Sequence, residues 1–104
     1  MITDVLWSHE VRHDADRVVV VLAGELDMTG ADGLLDLLRA QVRAHATVEV
    51  DAAGVTFIDS SAVGSLITGY RAASERGGRL MVANPSPVVR RVLSVTGVLD
   101  ALTL

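Results

Sequence analysis

Hydrophobic and polar positions change rhythm several times along the chain, and each change marks an element. From Val5 to His13 the alternation is imperfect but strand-like, and Asp14-Ala15-Asp16 follows as a polar turn. Arg17 to Ala23 is a nearly unbroken apolar run, which predicts a strand buried on both faces. A connection this short predicts an antiparallel hairpin. Gly24 closes the second strand, and Glu25-Leu26-Asp27-Met28 leads out of it. Thr29 with Asp32 three residues on resembles a capping box with Asp in the Glu position. The helix it opens runs to about Ala46, with Leu34, Leu35, Leu38 and Val42 on one stripe and Leu37 widening it.

Val48, Val50 and Ala52 then alternate with Thr47, Glu49 and Asp51, a short strand that Ala53-Gly54 breaks. Val55-Thr56-Phe57-Ile58 leads to Asp59, where a second helix starts. It carries Val63, Leu66, Ile67 and Tyr70 on one stripe and stops at Gly77-Gly78. Arg79 to Ala83 reads as a strand, Asn84-Pro85-Ser86-Pro87 as a turn, and Val88 to Thr96 as a third helix stopped by Gly97. Val98 to Leu104 fits a final strand or a short helix. The order is a β-hairpin followed by α, β, α, β, α, which implies parallel pairing through right-handed crossovers. The expectation is one α/β domain over residues 1–104, an N-terminal β-hairpin feeding a mixed four- to five-stranded sheet with helices packed against it.

Composition supports a real core: the chain has 104 residues, 50% hydrophobic and 21% charged. With no cysteine, disulfides, thiolate metal sites and thiol chemistry are excluded. The net charge of −4 argues against a nucleic-acid or anionic-membrane surface, both of which need clustered positive charge. Only 3% of residues are aromatic (Trp7, Phe57 and Tyr70), too few for a base-stacking platform. The longest apolar run, Val18 to Ala23, is far short of the ~20 residues that span a bilayer, and the N-terminus lacks the pattern of a signal peptide. A cytoplasmic protein with no membrane insertion is expected.

Catalytic and metal chemistry find little support. His9 and His13 share a face at a spacing of four, but no cysteine or spaced carboxylate cluster joins them, so they read as solvated side chains; His45 stands apart. Ser60 and Ser61 open a helix after a strand-like segment, yet the surrounding sequence lacks G-x-S-x-G and no histidine has an orienting partner. Gly24, Gly30 and Gly33 do not form G-x-G-x-x-G, and a chain without lysine has no P-loop. No enzyme, metal or cofactor is expected.

What remains is the block from Asp59 to Gly64. Asp59 suits a helix N-cap, with Ser60 and Ser61 near the first two helical positions. By composition alone, Asp-Ser-Ser is simply a common way to begin a helix. A hydroxyl there also has a more specific use, because the helix dipole and unpaired N–H groups tolerate an added phosphate. Phosphorylation brings about −1.5 to −2 charges at neutral pH, next to Asp59.

Gly24-Glu25-Leu26-Asp27, the block Val55-Thr56-Phe57-Ile58-Asp59-Ser60-Ser61-Ala62-Val63-Gly64, the strand Arg79-Leu80-Met81-Val82, the segment Pro85 to Leu93 and the closing Thr96-Gly97 together resemble a STAS domain, most of all the bacterial anti-sigma factor antagonists. The resemblance covers nearly the whole chain in order. It implies that the unphosphorylated protein binds an anti-sigma factor that is also a GHKL-type serine kinase, freeing a sigma factor. Phosphorylation would end that binding, and a PP2C-like phosphatase would restore it. Ser60 resembles the phosphoacceptor, with Ser61 the second candidate. The implied partner-binding surface takes in Asp27, Met28, Thr29, Asp59, Ser60, Ser61, Ala62 and Gly64. One departure is Ala62, where the family usually has glycine; its methyl group is expected to narrow the approach of a kinase loop. The alternative is a STAS scaffold or accessory subunit of a stressosome or lipid-transport ATPase complex, which would use no serine switch.

Overall fold

The structure, a computed structural model, describes residues 6–103. Val5 and Leu104, the outermost residues of two expected elements, therefore lie outside the described residues. The elements are β1 (Trp7–Asp14), β2 (Arg17–Leu26), α1 (Ala31–Ala44), β3 (Thr47–Ile58), α2 (Ser60–Glu75), β4 (Arg79–Ala83), α3 (Pro87–Val95) and α4 (Leu99–Thr103). β1 and β2 form the expected antiparallel hairpin, turning through Ala15 in the left-handed region at φ 34°. β2, β3 and β4 are parallel neighbours, so the sheet is mixed, with four strands in the order β1-β2-β3-β4. The C-terminal segment is a helix rather than a fifth strand.

Alternation along the strands sets the layers. Val18, Val20 and Leu22 on β2, Val48, Val50 and Ala52 on β3, and Leu80 and Val82 on β4 all face one side and are all buried. They form a single cluster with Leu34, Leu38 and Val42 of α1, Ala62, Val63, Leu66 and Ala73 of α2, Val89 and Leu93 of α3, and Leu102 of α4. Each buried valine or leucine among them contributes about 1.5–3 kcal/mol of burial, which is what holds helices to sheet. Among the described residues the other face carries no helix. Val19 and Val21 are only half-buried there, so β2 is not buried on both faces as expected. Ion pairs shield them: Arg12–Glu10 at 2.9 Å, Arg17–Asp14 at 3.4 Å and Arg17–Glu49 at 3.4 Å.

Two strands run further than the sequence pattern implied. β2 continues through Gly24 to Leu26, and β3 continues through Ala53-Gly54 to Ile58. The pairing explains how. Val21 opposes Asp51 but Ala23 opposes Gly54, and Gly24 opposes Val55 but Glu25 opposes Phe57. Each step inserts one extra residue into β3, a bulge that shifts its inside–outside phase by one. Val55 and Ile58 consequently still face the core, while Ala53, Gly54, Thr56 and Phe57 are all exposed. A single glycine therefore marks a bulge here and not a strand end. Gly24 takes φ +94° because β1 runs against it: a Cβ there would collide with the Leu6 carbonyl oxygen.

Helix boundaries follow their local chemistry. α2 and α3 both end in Schellman turns, with Gly77 and Gly97 at positive φ and bonds from Gly78 N–H to the Ala73 carbonyl and from Val98 N–H to the Leu93 carbonyl. Ser86 caps α3 through its side chain, with Pro87 in the first turn. The expected capping box at Thr29 does not form. α1 starts one residue later, behind Gly30, with no side-chain cap, because Thr29 bonds back to Asp27 instead. Gly30 is required sterically: a Cβ there would lie 2.6 Å from the indole nitrogen of Trp7, which roofs the start of α1. α1 ends at Ala44, slightly before the expected Ala46.

Candidate functional site

β2 and β3 end side by side, Leu26 opposite Ile58, and each next residue is an aspartate. The two chain exits are tied together by the Asp59 N–H, which donates to the Leu26 carbonyl at 3.1 Å. Asp27 and Asp59 thus leave adjacent parallel strands at the same end of the sheet, where the start of α2 meets the loop before α1. Crevices outside the carboxyl ends of parallel strands are where open α/β sheets usually place function.

Each aspartate organises its own loop. Asp59 is the N-cap of α2: its Oδ1 accepts from Ser61 N–H at 3.0 Å and Ala62 N–H at 3.2 Å, and its carbonyl accepts from Val63 N–H. Asp27 closes a tight turn in which Thr29 N–H donates to its Oδ1 at 2.9 Å, the Thr29 hydroxyl donates to the same oxygen, and Gly30 N–H donates to the Asp27 carbonyl. The Thr29 hydroxyl bond, and after it the Thr29 backbone bond, hold the Asp27 carboxyl below the usual carboxylate range. It is an anion at any physiological pH.

Ser60 follows Asp59 at the first position of α2, exposed, and its hydroxyl bonds to no described residue. Of the first-turn N–H groups of α2, only that of Ser60 lacks an acceptor among the described residues. Ser61 is half-buried, with its N–H committed to Asp59. Gly64, one turn along from Ser60, is exposed with nothing within 4 Å of where a Cβ would stand. Met28 projects from the Asp27 turn, 71% exposed. The expected surface residues are therefore brought together with one exception. Ala62 is 0% exposed, its methyl group in the core, so it neither offers a contact nor narrows an approach.

The model of the family "Mlab, STAS domain" matches residues 9–103. The chain belongs to the STAS-domain family. It is 32% identical over 88 residues to the anti-sigma F factor antagonist of Lysinibacillus sphaericus, covering 79% of this chain and 72% of that one. Its fold is similar to the anti-sigma factor antagonist SpoIIAA in its unphosphorylated form, with a TM-score of 0.80 and 26% identity over 93% of this chain and 86% of that chain. The Bacillus cell-fate determinant SpoIIAA in its phosphorylated form matches with a TM-score of 0.74 at 26% identity, covering 93% of this chain and 89% of that chain. Both forms of SpoIIAA thus share the architecture of this STAS domain.

Three side chains that support the site escaped the sequence reading. Ser65 is buried, and its hydroxyl donates to the Ala31 carbonyl at 2.7 Å, pinning the second turn of α2 to the first turn of α1. A polar residue between Val63 and Leu66, beside the buried Ala62, Gly69 and Ala73, is the signal that was available. Trp7 fixes the other side of the Asp27 turn through Gly30. Phe57 emerges on the surface through the second bulge of β3, which no periodicity announces. The histidines form no site: His9 lies against Trp7 at 5.6 Å and His13 against His45 at 5.2 Å, ring to ring, and among the described residues no three metal-binding side chains cluster. A cavity of about 240 Å³ lies at the far end of α2, lined by Arg43, His45, Arg76 and Gly77 among others. At roughly 1.5 Å per residue it is some 24 Å from Ser60, where arginines meet the carbonyl ends of α1 and α2.

Proposed function

We propose that this STAS domain is an anti-sigma factor antagonist whose binding is switched off by phosphorylation of Ser60. The observation that carries the reading is Ser60 itself, an exposed and unengaged hydroxyl on a rigid helix start, next to the capping Asp59 and at the end of the sheet where Asp27 also emerges. The likeness to anti-sigma factor antagonists supports an anti-sigma factor as the partner class, and we take that partner to be a GHKL-type serine kinase as well. The protein acts by binding and performs no catalysis of its own. Its site of action is the cytoplasm, where such a partner holds its sigma factor. Among the described residues no helix is long and apolar enough to cross a membrane.

The switch follows from charge. The kinase must bring the γ-phosphate of ATP to Ser60 Oγ; the new O–P bond forms as the bond to ADP breaks, and the hydroxyl proton passes to solvent through a base of the kinase. Ser60 then carries about −1.5 to −2 charges, facing the phosphates of ADP across the interface and Asp59 and Asp27 behind it. Like charges opposed in a dry contact cost several kcal/mol, so the complex separates. Within the free protein the same phosphate is tolerated, because the unpaired Ser60 N–H and the positive end of α2 lie beside it. A PP2C-like phosphatase resets the cycle by hydrolysing the phosphoserine to serine and inorganic phosphate.

The test measures binding of the host's purified anti-sigma factors to wild type, Ser60→Ala and Ser60→Asp, with ATP-dependent phosphorylation mapped by mass spectrometry. Wild type and Ser60→Ala should bind one of them alike, Ser60→Asp should bind more weakly, and the phosphate should map to Ser60 rather than Ser61. Equal binding by all three with no phosphate incorporated would leave Ser60 a helix-opening residue and favour a scaffold or accessory subunit.

A further inference from the structure

The open face of the sheet is unevenly covered. Over its lower two thirds, Val19 and Val21 lie under the ion pairs of Glu10, Arg12, Asp14, Arg17 and Glu49, with Asn84 hydrogen-bonded to Asp51 beside them. At the upper end this cover stops. There the pairing aligns Leu6, Glu25 and Phe57 in one row, since Glu25 N–H donates to the Leu6 carbonyl at 2.8 Å and Glu25 opposes Phe57. Their neighbours Trp7, Leu26 and Ile58 face the helices, so this row faces away from them. Leu6 is 42% and Phe57 44% exposed, and Met28 stands on the adjoining turn. An aromatic side chain is held out of the core here by a bulge, three residues before Ser60, at most about 10 Å of extended chain away.

Carboxylates adjoin this row: Glu25 stands within it, and Asp27 and Asp59 follow directly at the ends of the two strands that carry it. An apolar, partly aromatic centre with an acidic rim is complementary to an apolar pocket rimmed by Arg or Lys, and interface energy concentrates in such aromatic anchors.

We infer that Phe57, aided by Leu6 and Met28, is the apolar anchor by which the anti-sigma factor is held, and that this partner receives it in an apolar pocket rimmed by basic side chains. The inference rests on the function proposed above and extends that contact from the start of α2 across the strand ends onto the open face of the sheet. Ser60 decides whether the complex forms; Phe57 decides how tightly.

The experiment measures the Kd of the host's purified anti-sigma factors for wild type, Phe57→Ala, Phe57→Leu and the distant control Val95→Ala, whose side chain is 81% exposed. Thermal unfolding of each variant verifies the fold, and steady-state phosphorylation is followed in parallel. Phe57→Ala should raise Kd about 30-fold, the effect of an anchor side chain, Phe57→Leu should fall between it and wild type, and Val95→Ala should match wild type. In phosphorylation, Phe57→Ala should raise KM and leave kcat unchanged, because the anchor holds the substrate without touching the reacting atoms. A folded Phe57→Ala that binds within twofold of wild type overturns the anchor while leaving the Ser60 switch standing. Failure of wild type to bind any of the host's anti-sigma factors overturns both.

Discussion

Asp59 does two jobs that a pair of substitutions separates. In Asp59→Ala, Ser61 N–H and Ala62 N–H both lose their acceptor, since the one oxygen serves both at 3.0 and 3.2 Å. Losing an N-cap of this kind costs about 0.5–2 kcal/mol. The upper half of that range applies here, because the first turn cannot fray freely: Ala62 and Val63 are core residues, and Ser65 is bonded to Ala31. At about 4–8 °C per kcal/mol for a domain of this size, a loss of about 1–2 kcal/mol lowers Tm by roughly 5–15 °C. Asp59→Asn keeps an oxygen in the capping position and forfeits only the charge–dipole attraction, about 0.3–1 kcal/mol.

Urea unfolding followed by far-ultraviolet circular dichroism measures both, with the ratio of the two losses as the informative quantity. Asp59→Ala should be at least twice as destabilising as Asp59→Asn. An Ala variant within about 0.3 kcal/mol of wild type would refute the capping role, and an Asn variant as weak as Ala would mean that charge, not the acceptor, opens α2. Asp59→Asn is also the variant for asking what the carboxylate does for the partner. It retains the geometry of Ser60, so a change in its phosphorylation rate reports charge at the contact.

Leu38→Ala should destabilise by about 2–5 kcal/mol, towards the upper end, because the residue opposite is Gly69, which has no side chain to fill the void. The two are close enough that a Cβ on Gly69 would meet Leu38 at 3.3 Å. Calorimetry checks the loss, and partner binding by the surviving folded fraction should be unchanged. Thr29→Val removes the hydroxyl bond that most lowers the Asp27 pKa, so that carboxyl should titrate closer to its ordinary value in a carbon-13 NMR titration. Because the folded-state pKa of Asp27 lies below the unfolded one, its contribution to stability is complete above the ordinary carboxylate pKa and is lost as pH falls through the folded value; in Thr29→Val that acid-side contribution should shrink.

Element order was legible because most boundaries here are local chemistry. Gly77-Gly78 and Gly97 end helices in the conformation that glycine permits, Ser86-Pro87 starts one, and the hydrophobic period of α1 matches its buried stripe. In α2, by contrast, Ile67 and Tyr70 are only half-buried, and Ala62, Ser65, Gly69 and Ala73 join Val63 and Leu66 in the buried stripe. The failures are non-local. Gly54 looks like a strand end until β2 is alongside, and only the parallel partner shows that β3 bulges twice and continues. The valines of β2 read as buried on both sides because a run of valines does not record which face the helices take. Thr29 followed by Asp32 satisfied a capping pattern, but Asp27 competes for the same hydroxyl and wins by closing a tighter turn. Asp59, Ser60 and Ser61 were legible as a helix start. That Ala62 points into the core while Phe57 points out of it depends on the second bulge and the helix phase together.

The way the site is anchored also bears on how the switch proposed at Ser60 would work. A phosphate that acted by displacing α2 would have to pull Ala62, Val63, Leu66 and Ala73 from the cluster they share with the sheet. Exposing even two such side chains costs about 3–6 kcal/mol, whereas a phosphate at a helix start gains or loses on the order of 1–2 kcal/mol against the dipole and its neighbours. The hydrogen bonds from Ser65 to Ala31 and from Asp59 N–H to Leu26 would be lost as well. The cheaper response is to leave the backbone where it is and change only the charge displayed at the strand ends. Under the proposed switch, kinase and phosphatase would meet the same conformation, and the two states would differ only in which partner tolerates the charge.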